Sequence, residues 1–81
     1  MADVDYKQSD VKYIREMILS PDPVVTAVEL AEEVGVSQQA AHSKLEDLEE
    51  RGLVESKAVG SRAVVWWLTV EGRRVYADSE S

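Results

Sequence analysis

Two helix signals separated by a very short turn constrain the fold of this chain more than any other feature. Residues 26–29, Thr-Ala-Val-Glu, form a capping-box sequence, in which the Thr hydroxyl and the Glu carboxylate accept from backbone N–H groups at the start of a helix. That helix ends at Gly35, which suits the left-handed position after a helix. Ser37, a second N-cap residue, follows two positions later. Helices joined by so short a turn cross at a steep angle, which is typical of a helix-turn-helix.

The segment before this pair predicts one further helix. Apolar residues recur at helical spacing over residues 11–19, and either Ser9 or Asp10 is a suitable N-cap for them. The Ser-Pro-Asp-Pro sequence at 20–23 ends this helix, because proline lacks a backbone donor and restricts the residue before it. The two valines at 24–25 are enough for a very short strand.

The segment after the pair predicts a β-hairpin and a last helix. Two stretches with strand-like composition flank a glycine-containing turn, and Thr69 is placed to cap the helix that follows. The expected elements are a helix over residues 37–51, strands over 53–58 and Ala63–Leu68 around a turn at 59–62, and a helix over 70–77. This order predicts a winged helix-turn-helix of the α+β class, with a three-helix core, an antiparallel wing of two to three strands over residues 54–68 and a short C-terminal helix.

Three stretches of the sequence resemble the winged helix-turn-helix transcription regulators of bacteria and archaea, in the broad MarR/ArsR-like group. Residues 26–37, 45–54 and 66–74 are similar to that group's ELAEELGVS, LxxLEExGLV and YxLTxEGR stretches, in the same order. The resemblance implies a dimeric regulator whose second helix of the pair enters the major groove of double-stranded DNA, while the wing contacts the backbone or the minor groove. We therefore expect a flexible N-terminus over residues 1–8, a winged-helix DNA-binding domain over 9–78 and a tail over 79–81.

The polar face of the helix over residues 37–51 carries the candidate DNA contacts. When its apolar residues face the core, Gln39, His42 and Ser43 lie on the opposite face, and Gln38 lies at the positive N-terminal end. Glutamine pairs with adenine edges and serine with several bases, while lysine and arginine bind phosphates. The expected contacts are Ser37, Gln38, Gln39, His42, Ser43 and Lys44 in this helix, and Lys57 and Arg62 on the wing. The alternative is an ordinary solvated helix face and ordinary hairpin charges.

The net charge of −7, from 16 acidic and 9 basic residues, argues at first against a nucleic-acid partner. The acidic excess is unevenly placed, because residues 37–62 hold four cations and five anions, and the other eleven anions lie elsewhere in the chain. An acid-rich composition with only four lysines resembles that of proteins from halophilic archaea. In molar salt the Debye length is about 3 Å, so repulsion from phosphate is screened. The alternative function is a winged-helix protein–protein interaction module that does not bind DNA.

The sequence lacks the residue combinations that catalysis and cofactor binding need. It has no cysteine, and its sole histidine, His42, forms no Ser–His pair with Ser43, which points about 100° away on the helix. It also has no phosphate-binding glycine loop and no cluster of metal ligands. We therefore expect no enzyme activity, no metal and no cofactor. The longest apolar run, Ala63–Leu68, is too short to span a bilayer and no signal peptide is recognisable, so we expect a cytoplasmic protein.

Aromatic residues on the second strand indicate how two copies associate. A chain of 81 residues buries only about 60% of its unfolded surface, so we expect a homodimer. Trp66 lies on the strand face that is expected to meet the core. Val65 and Trp67 lie on the reverse face. Either a helix covers that face, or these residues form a dimer interface together with Tyr76.

Overall fold

The chain folds as a winged helix in the computed structural model, which describes residues 6–61 and 63–80. Within these residues the elements are helices α1 (Gln8–Leu19), α2 (Ala27–Val34), α3 (Gln38–Glu50) and α4 (Val70–Ser79), and strands β1 (Val54–Val59) and β2 (Ala63–Leu68). This order confirms the predicted α+β architecture. None of the described helices is long and apolar enough to cross a membrane.

The capping signals place α2 and α3 as the sequence predicts. The backbone N–H of Thr26 donates to the Glu29 carboxylate at 2.9 Å, and the Glu29 N–H donates to the Thr26 hydroxyl at 3.2 Å. Gly35 has a φ of 86° and its N–H donates to the carbonyl of Ala31 at 2.8 Å, which closes α2. The hydroxyl of Ser37 then accepts from the N–H at position 40 at 3.1 Å and opens α3. The short turn between the helices is therefore built from two local caps.

One apolar core lies beneath α3 and is shared by α1, α2, α4 and the hairpin. Burial of each large aliphatic side chain contributes about 1.5–3 kcal/mol, so this core supplies the main stabilising term. Trp66 of β2 is also buried, as predicted. The largest fully buried apolar side chains are those of Ile14, Leu30, Leu45, Leu48, Leu53 and Val54.

The wing is a two-stranded antiparallel sheet with a single-residue third partner. The register pairs Val54 with Leu68 at the base of the hairpin and Val59 with Ala63 near its tip. Val25 forms an isolated bridge to Trp66 through two backbone hydrogen bonds of 2.9 and 2.8 Å, which is all that the predicted short strand contributes. Strand β1 begins one residue later than predicted, because the N–H at position 53 donates to the carbonyl of Leu48 at 2.9 Å and leaves only one hydrogen bond, from the Thr69 N–H at 3.1 Å, to join position 53 to the chain after β2.

The two outer helices are longer than predicted. Helix α1 begins at Gln8, so the prediction of an N-cap at Ser9 or Asp10 is wrong. The Asp10 carboxylate lies in the first turn and accepts from the backbone N–H of Lys7 at 2.9 Å. Helix α4 extends through Ser79, two residues beyond the prediction. The predicted flexibility of residues 1–5 lies outside the described residues.

Helix α4 approaches the base of the hairpin very closely at Gly72. The Thr69 hydroxyl donates to the carbonyl of Gly52 at 2.7 Å and accepts from the Gly72 N–H at 3.1 Å. A Cβ atom added to Gly72 would lie 2.2 Å from the carbonyl oxygen of Leu53. Glycine at this position therefore sets the distance between α4 and the rest of the domain.

Candidate nucleic-acid interface

The exposed side of α3 is divided into a neutral half and an acidic half. Ala41, Leu45 and Leu48 of α3 are fully buried, so at about 100° per residue the opposite side of the helix faces solvent. Its first two turns present exposed, uncharged side chains, which we call the open face: Gln38, Gln39, His42 and Ser43. Ser37, the N-cap, is exposed beside them. The last two turns expose Glu46, Glu49 and Glu50. The structure thus brings five of the predicted contact residues together at the N-terminal end of α3.

Among residues 6–61 and 63–80, His42 is the one member of the open face whose side chain has an aromatic or ionic partner. Its ring packs edge-on against the buried Trp66, with the ring centroids 5.8 Å apart and an interplanar angle of 82°. Its Nε2 atom lies 3.5 Å from the Glu46 carboxylate. Because Trp66 also pairs with the backbone of Val25, the imidazole is braced against the hairpin as well as against its own helix.

A buried aspartate lies on the other side of α3, where this helix meets α1. The Asp10 carboxylate is fully buried, and one of its oxygens lies 2.5 Å from Lys44 Nζ. The guanidinium of Arg51 binds both carboxylate oxygens, at 2.9 and 3.0 Å, and also binds Asp47 at 2.6 Å. These four residues, the Asp10 network, join the start of α1 to the second half of α3. Sequence reasoning missed this network.

The partners of Asp10 also determine its protonation. Burial alone would raise the pKa of the Asp10 carboxyl, because it disfavours the charged form. The hydrogen bonds from Arg51, from Lys44 and from the backbone N–H of Lys7 favour the carboxylate more strongly and hold the pKa of Asp10 well below its usual range. Asp10 is therefore ionised in the folded protein at neutral pH.

The Asp10 network changes how the charges of residues 37–62 are counted. Lys44, which the sequence predicts as a phosphate contact, directs its ammonium to Asp10 and to the Ser9 hydroxyl at 3.3 Å, and its side chain is only 20% exposed. Arg51 is likewise engaged with Asp10 and Asp47. Two of the four cations in this segment are thus paired with aspartates, although the Arg51 side chain is still 31% exposed. The surface around α3 is more acidic than a count of charges along the sequence indicates.

The wing carries little charge in the part that the structure describes. Lys57 is exposed on β1, opposite Val65 in the register. Arg62, the other predicted wing contact, lies outside the described residues. Val59 and Val64, close to the tip, are 40% and 36% exposed. The described wing therefore offers Lys57 as a phosphate ligand, with two exposed valines near the tip.

The predicted interface residues lie on two different elements. Val65 and Trp67 share the outer face of β2 and are half-buried. Trp67 lines a groove of about 250 Å³ together with residues from the end of α1 and from the 20–23 loop, including Met17 and Pro21. Tyr76 packs against the core from α4.

Comparison with known proteins assigns the chain to a family. The model of the MarR family matches residues 8–63, which include α1 to α3, β1 and the hairpin turn. This chain belongs to the MarR family. A search of curated proteins finds no significant match to the sequence.

Solved structures share the fold of this MarR-family chain at low sequence identity. FabT of Streptococcus pneumoniae, solved in complex with DNA, is 23% identical with a TM-score of 0.81, over 94% of this chain and 53% of that one. A MarR mutant from E. coli, solved with operator DNA, is 24% identical with a TM-score of 0.82, over 91% of this chain and 53% of that one. BpsR of Bordetella bronchiseptica is 16% identical with a TM-score of 0.84, over 99% of this chain and 61% of that one. The chain therefore spans a little over half the length of these proteins.

Proposed function

We propose that this MarR-family chain is a transcription regulator that binds double-stranded DNA in a sequence-specific way, with α3 in the major groove and the wing on the backbone or in the minor groove. The observation that carries the proposal is the open face, where the first two turns of α3 present neutral hydrogen-bonding side chains to solvent. Two proteins of the same fold, FabT and the E. coli MarR mutant, were solved with DNA, which supports this assignment. In this proposal the chain acts by binding, without catalysis, in the cytoplasm.

The chemistry of the open face favours base contacts over phosphate contacts. The amides of Gln38 and Gln39 match the donor–acceptor pair on adenine, and the hydroxyl of Ser43 pairs with several base edges. His42, braced against Trp66, offers a further ring nitrogen to a base or a phosphate. The N-terminal end of α3, with Ser37, carries a partial positive charge that favours a nearby phosphate. Lys57 and Arg62 supply the wing contacts in this proposal.

The proposed active form is a homodimer. Trp67 and Val65 offer a half-buried apolar face beside the groove, and a small domain gains stability when it buries such a face. We propose that these two residues and Tyr76 contribute to the interface between two copies. A dimer places two copies of α3 on one duplex, so the weak electrostatic attraction of an acidic protein is offset by avidity.

A selection experiment tests the proposed function. Duplexes are selected with the protein from a random-sequence pool, and binding of the selected duplex and of a random duplex is measured by fluorescence anisotropy from low to molar KCl. Gln39→Ala should weaken the selected duplex by about 5- to 150-fold, the value of one bidentate base contact, and leave the random duplex unchanged. Gln8→Ala, an exposed glutamine on α1, is the matched control and should change neither.

A protein–protein interaction module is the second candidate, and the acidic half of α3 favours it. Glu46, Glu49 and Glu50 are exposed there, while Lys44 and Arg51 are engaged with aspartates. An acidic helix end suits a basic protein partner better than it suits DNA. Failure of the wild-type protein to bind any duplex at any salt concentration would favour this candidate and contradict DNA binding.

A further inference from the structure

We infer that Asp10 is a positioning residue for DNA recognition: by binding Lys44 and Arg51, it fixes the rotation at which α3 presents its open face. This inference rests on the proposed DNA binding, and it assigns to Lys44 a role different from the phosphate contact that the sequence predicts. The four members of the Asp10 network lie outside the open face, so their effect on DNA passes through the orientation of α3.

The spacing of the two cations makes the network sensitive to rotation. Lys44 and Arg51 are seven residues apart, which is two turns of helix, so both side chains leave α3 on the same side. They reach one carboxylate at the start of α1, at distances of 2.5–3.0 Å. A rotation of α3 by one residue, about 100°, would carry both cations away from Asp10.

The geometry of the Arg51 contact adds a directional constraint. Its guanidinium forms two roughly parallel hydrogen bonds with Asp10, which restrict the orientation of Arg51, and Lys44, two turns away, adds the second attachment that is needed to fix the rotation of α3. The apolar contacts of Ala41, Leu45 and Leu48 are strong but non-directional, so they tolerate small rotations of α3. The Asp10 network therefore fixes the rotation of α3 about its axis, which the apolar core does not fix.

Burial of Asp10 limits the arrangements that the network can adopt. The Asp10 carboxylate is fully buried, and an unpaired buried charge is strongly unfavourable. Asp10 therefore has to keep at least one cation of α3 within contact distance. A buried pair is also screened less by salt than a surface pair, so it persists across the salt range of the DNA-binding assay. Gln38, Gln39, His42 and Ser43 are thus presented in the same way at low and high salt.

Salt dependence separates a positioning lysine from a phosphate-binding lysine. The slope of log K against log salt is negative, and loss of one phosphate contact makes it less steep by about 0.9 and weakens all duplexes equally. Loss of a positioning contact leaves the slope unchanged, because no phosphate ligand is removed. It weakens the selected duplex and spares the random duplex, since only base contacts depend on the orientation of α3.

Three lysine-to-glutamine variants provide the comparison. Glutamine at position 44 keeps a hydrogen-bond donor near Asp10, so Lys44→Gln retains the Asp10–Arg51 pair and the fold. For this variant we expect about tenfold weaker binding of the selected duplex, unchanged binding of the random duplex and an unchanged salt slope. Lys57→Gln on the wing should make the salt slope less steep by about 0.9 and weaken both duplexes equally. Lys12→Gln, an exposed lysine on α1, should behave as wild type.

Two outcomes overturn the inference. If Lys44→Gln makes the salt slope less steep and weakens both duplexes as Lys57→Gln does, then Lys44 is a phosphate contact. If Lys44→Gln binds both duplexes as Lys12→Gln does, then the Asp10 network does not set the orientation of α3 for recognition.

Amide hydrogen exchange in the free protein tests the same inference without DNA. For Lys44→Gln we expect exchange to accelerate severalfold in α3 and to stay unchanged in α4, which does not contribute to the Asp10 network. Equal exchange in wild type and variant would contradict the inference. A wild-type protein that binds no duplex contradicts the proposed function instead, and the exchange result then still decides whether the network orients α3.

Discussion

Asp10→Asn removes one negative charge from the interior and leaves the shape of the side chain unchanged. Breaking a buried ion pair by removing one partner typically costs about 3–5 kcal/mol. The side chains of Lys44 and Arg51 are 20% and 31% exposed, so each cation regains some hydration when Asp10 is neutral. We therefore expect the lower value, a loss of about 3 kcal/mol. In a domain of this size it lowers the melting temperature by about 15 °C.

The loss of unfolding free energy in Asp10→Asn should become smaller at acidic pH. The folded protein lowers the pKa of Asp10, so the stabilising contribution is present above the ordinary aspartate pKa of about 4 and is lost as the pH falls below it. The difference in unfolding free energy between wild type and Asp10→Asn should be constant from about pH 5 to 8. It should shrink by about 1 kcal/mol at pH 3, where the unfolded chain is already largely protonated.

Urea denaturation followed by far-UV circular dichroism, at pH 7 and at pH 3, measures both quantities. Asp22→Asn, an exposed aspartate in the 20–23 loop, is the matched control, and we expect it to lie within about 0.5 kcal/mol of wild type. An unfolding free energy for Asp10→Asn within about 0.5 kcal/mol of the control would refute the reasoning, and so would a wild-type advantage that grows toward pH 3.

Three further predictions follow from the fold, the cap and the groove. Gly72→Ala should destabilise the domain by about 1–3 kcal/mol in urea denaturation, because the new methyl group meets the Leu53 carbonyl, whereas an unchanged midpoint would contradict that packing. Thr26→Ala should cost about 1 kcal/mol of stability through loss of the cap shared with Glu29, and a change below 0.3 kcal/mol would count against it. Trp67→Ser should convert a wild-type dimer to a monomer in light scattering, and an unchanged dimer mass removes Trp67 from the interface.

The halophilic interpretation of the composition stays a prediction. It requires the protein to unfold more readily at low salt than in molar KCl, because closely spaced carboxylates repel each other when they are not screened. The contribution of the Asp10 network to stability should not follow this salt dependence, since a buried pair is screened little by salt. Thermal melts of wild type in both conditions measure this difference, and equal melting temperatures would leave the acidic composition without that explanation.

Local signals explain why most of the fold was predictable. The capping box at Thr26, the left-handed Gly35 and the N-cap at Ser37 each bind groups no more than four residues away. The sequence alone therefore specifies the turn between α2 and α3. The open face also followed from helical periodicity, because Ala41 and Leu45 fix which side of α3 is buried. The identity of any base contact remains a prediction.

Long-range pairing explains what the sequence could not reveal. Asp10 looked like an N-cap because aspartate favours that position, but its partners Lys44 and Arg51 are more than 30 residues away in the chain. A charge count along the sequence treated both cations as unpaired surface groups, although the fold pairs both with the buried Asp10. The first residue of β1 was displaced for a local reason instead, since the Leu53 N–H donates to the Leu48 carbonyl at the end of α3.

The central claim is that the first two turns of α3 contact DNA, and NMR mapping of the complex tests it most directly. Amide and side-chain shifts of the isotope-labelled protein are followed during titration with the selected duplex. The account predicts that the largest changes cluster on Gln38, Gln39, His42 and Ser43, with a second group around Lys57 on the wing. Changes confined to β2 and α4, or no changes at any salt concentration, would contradict it.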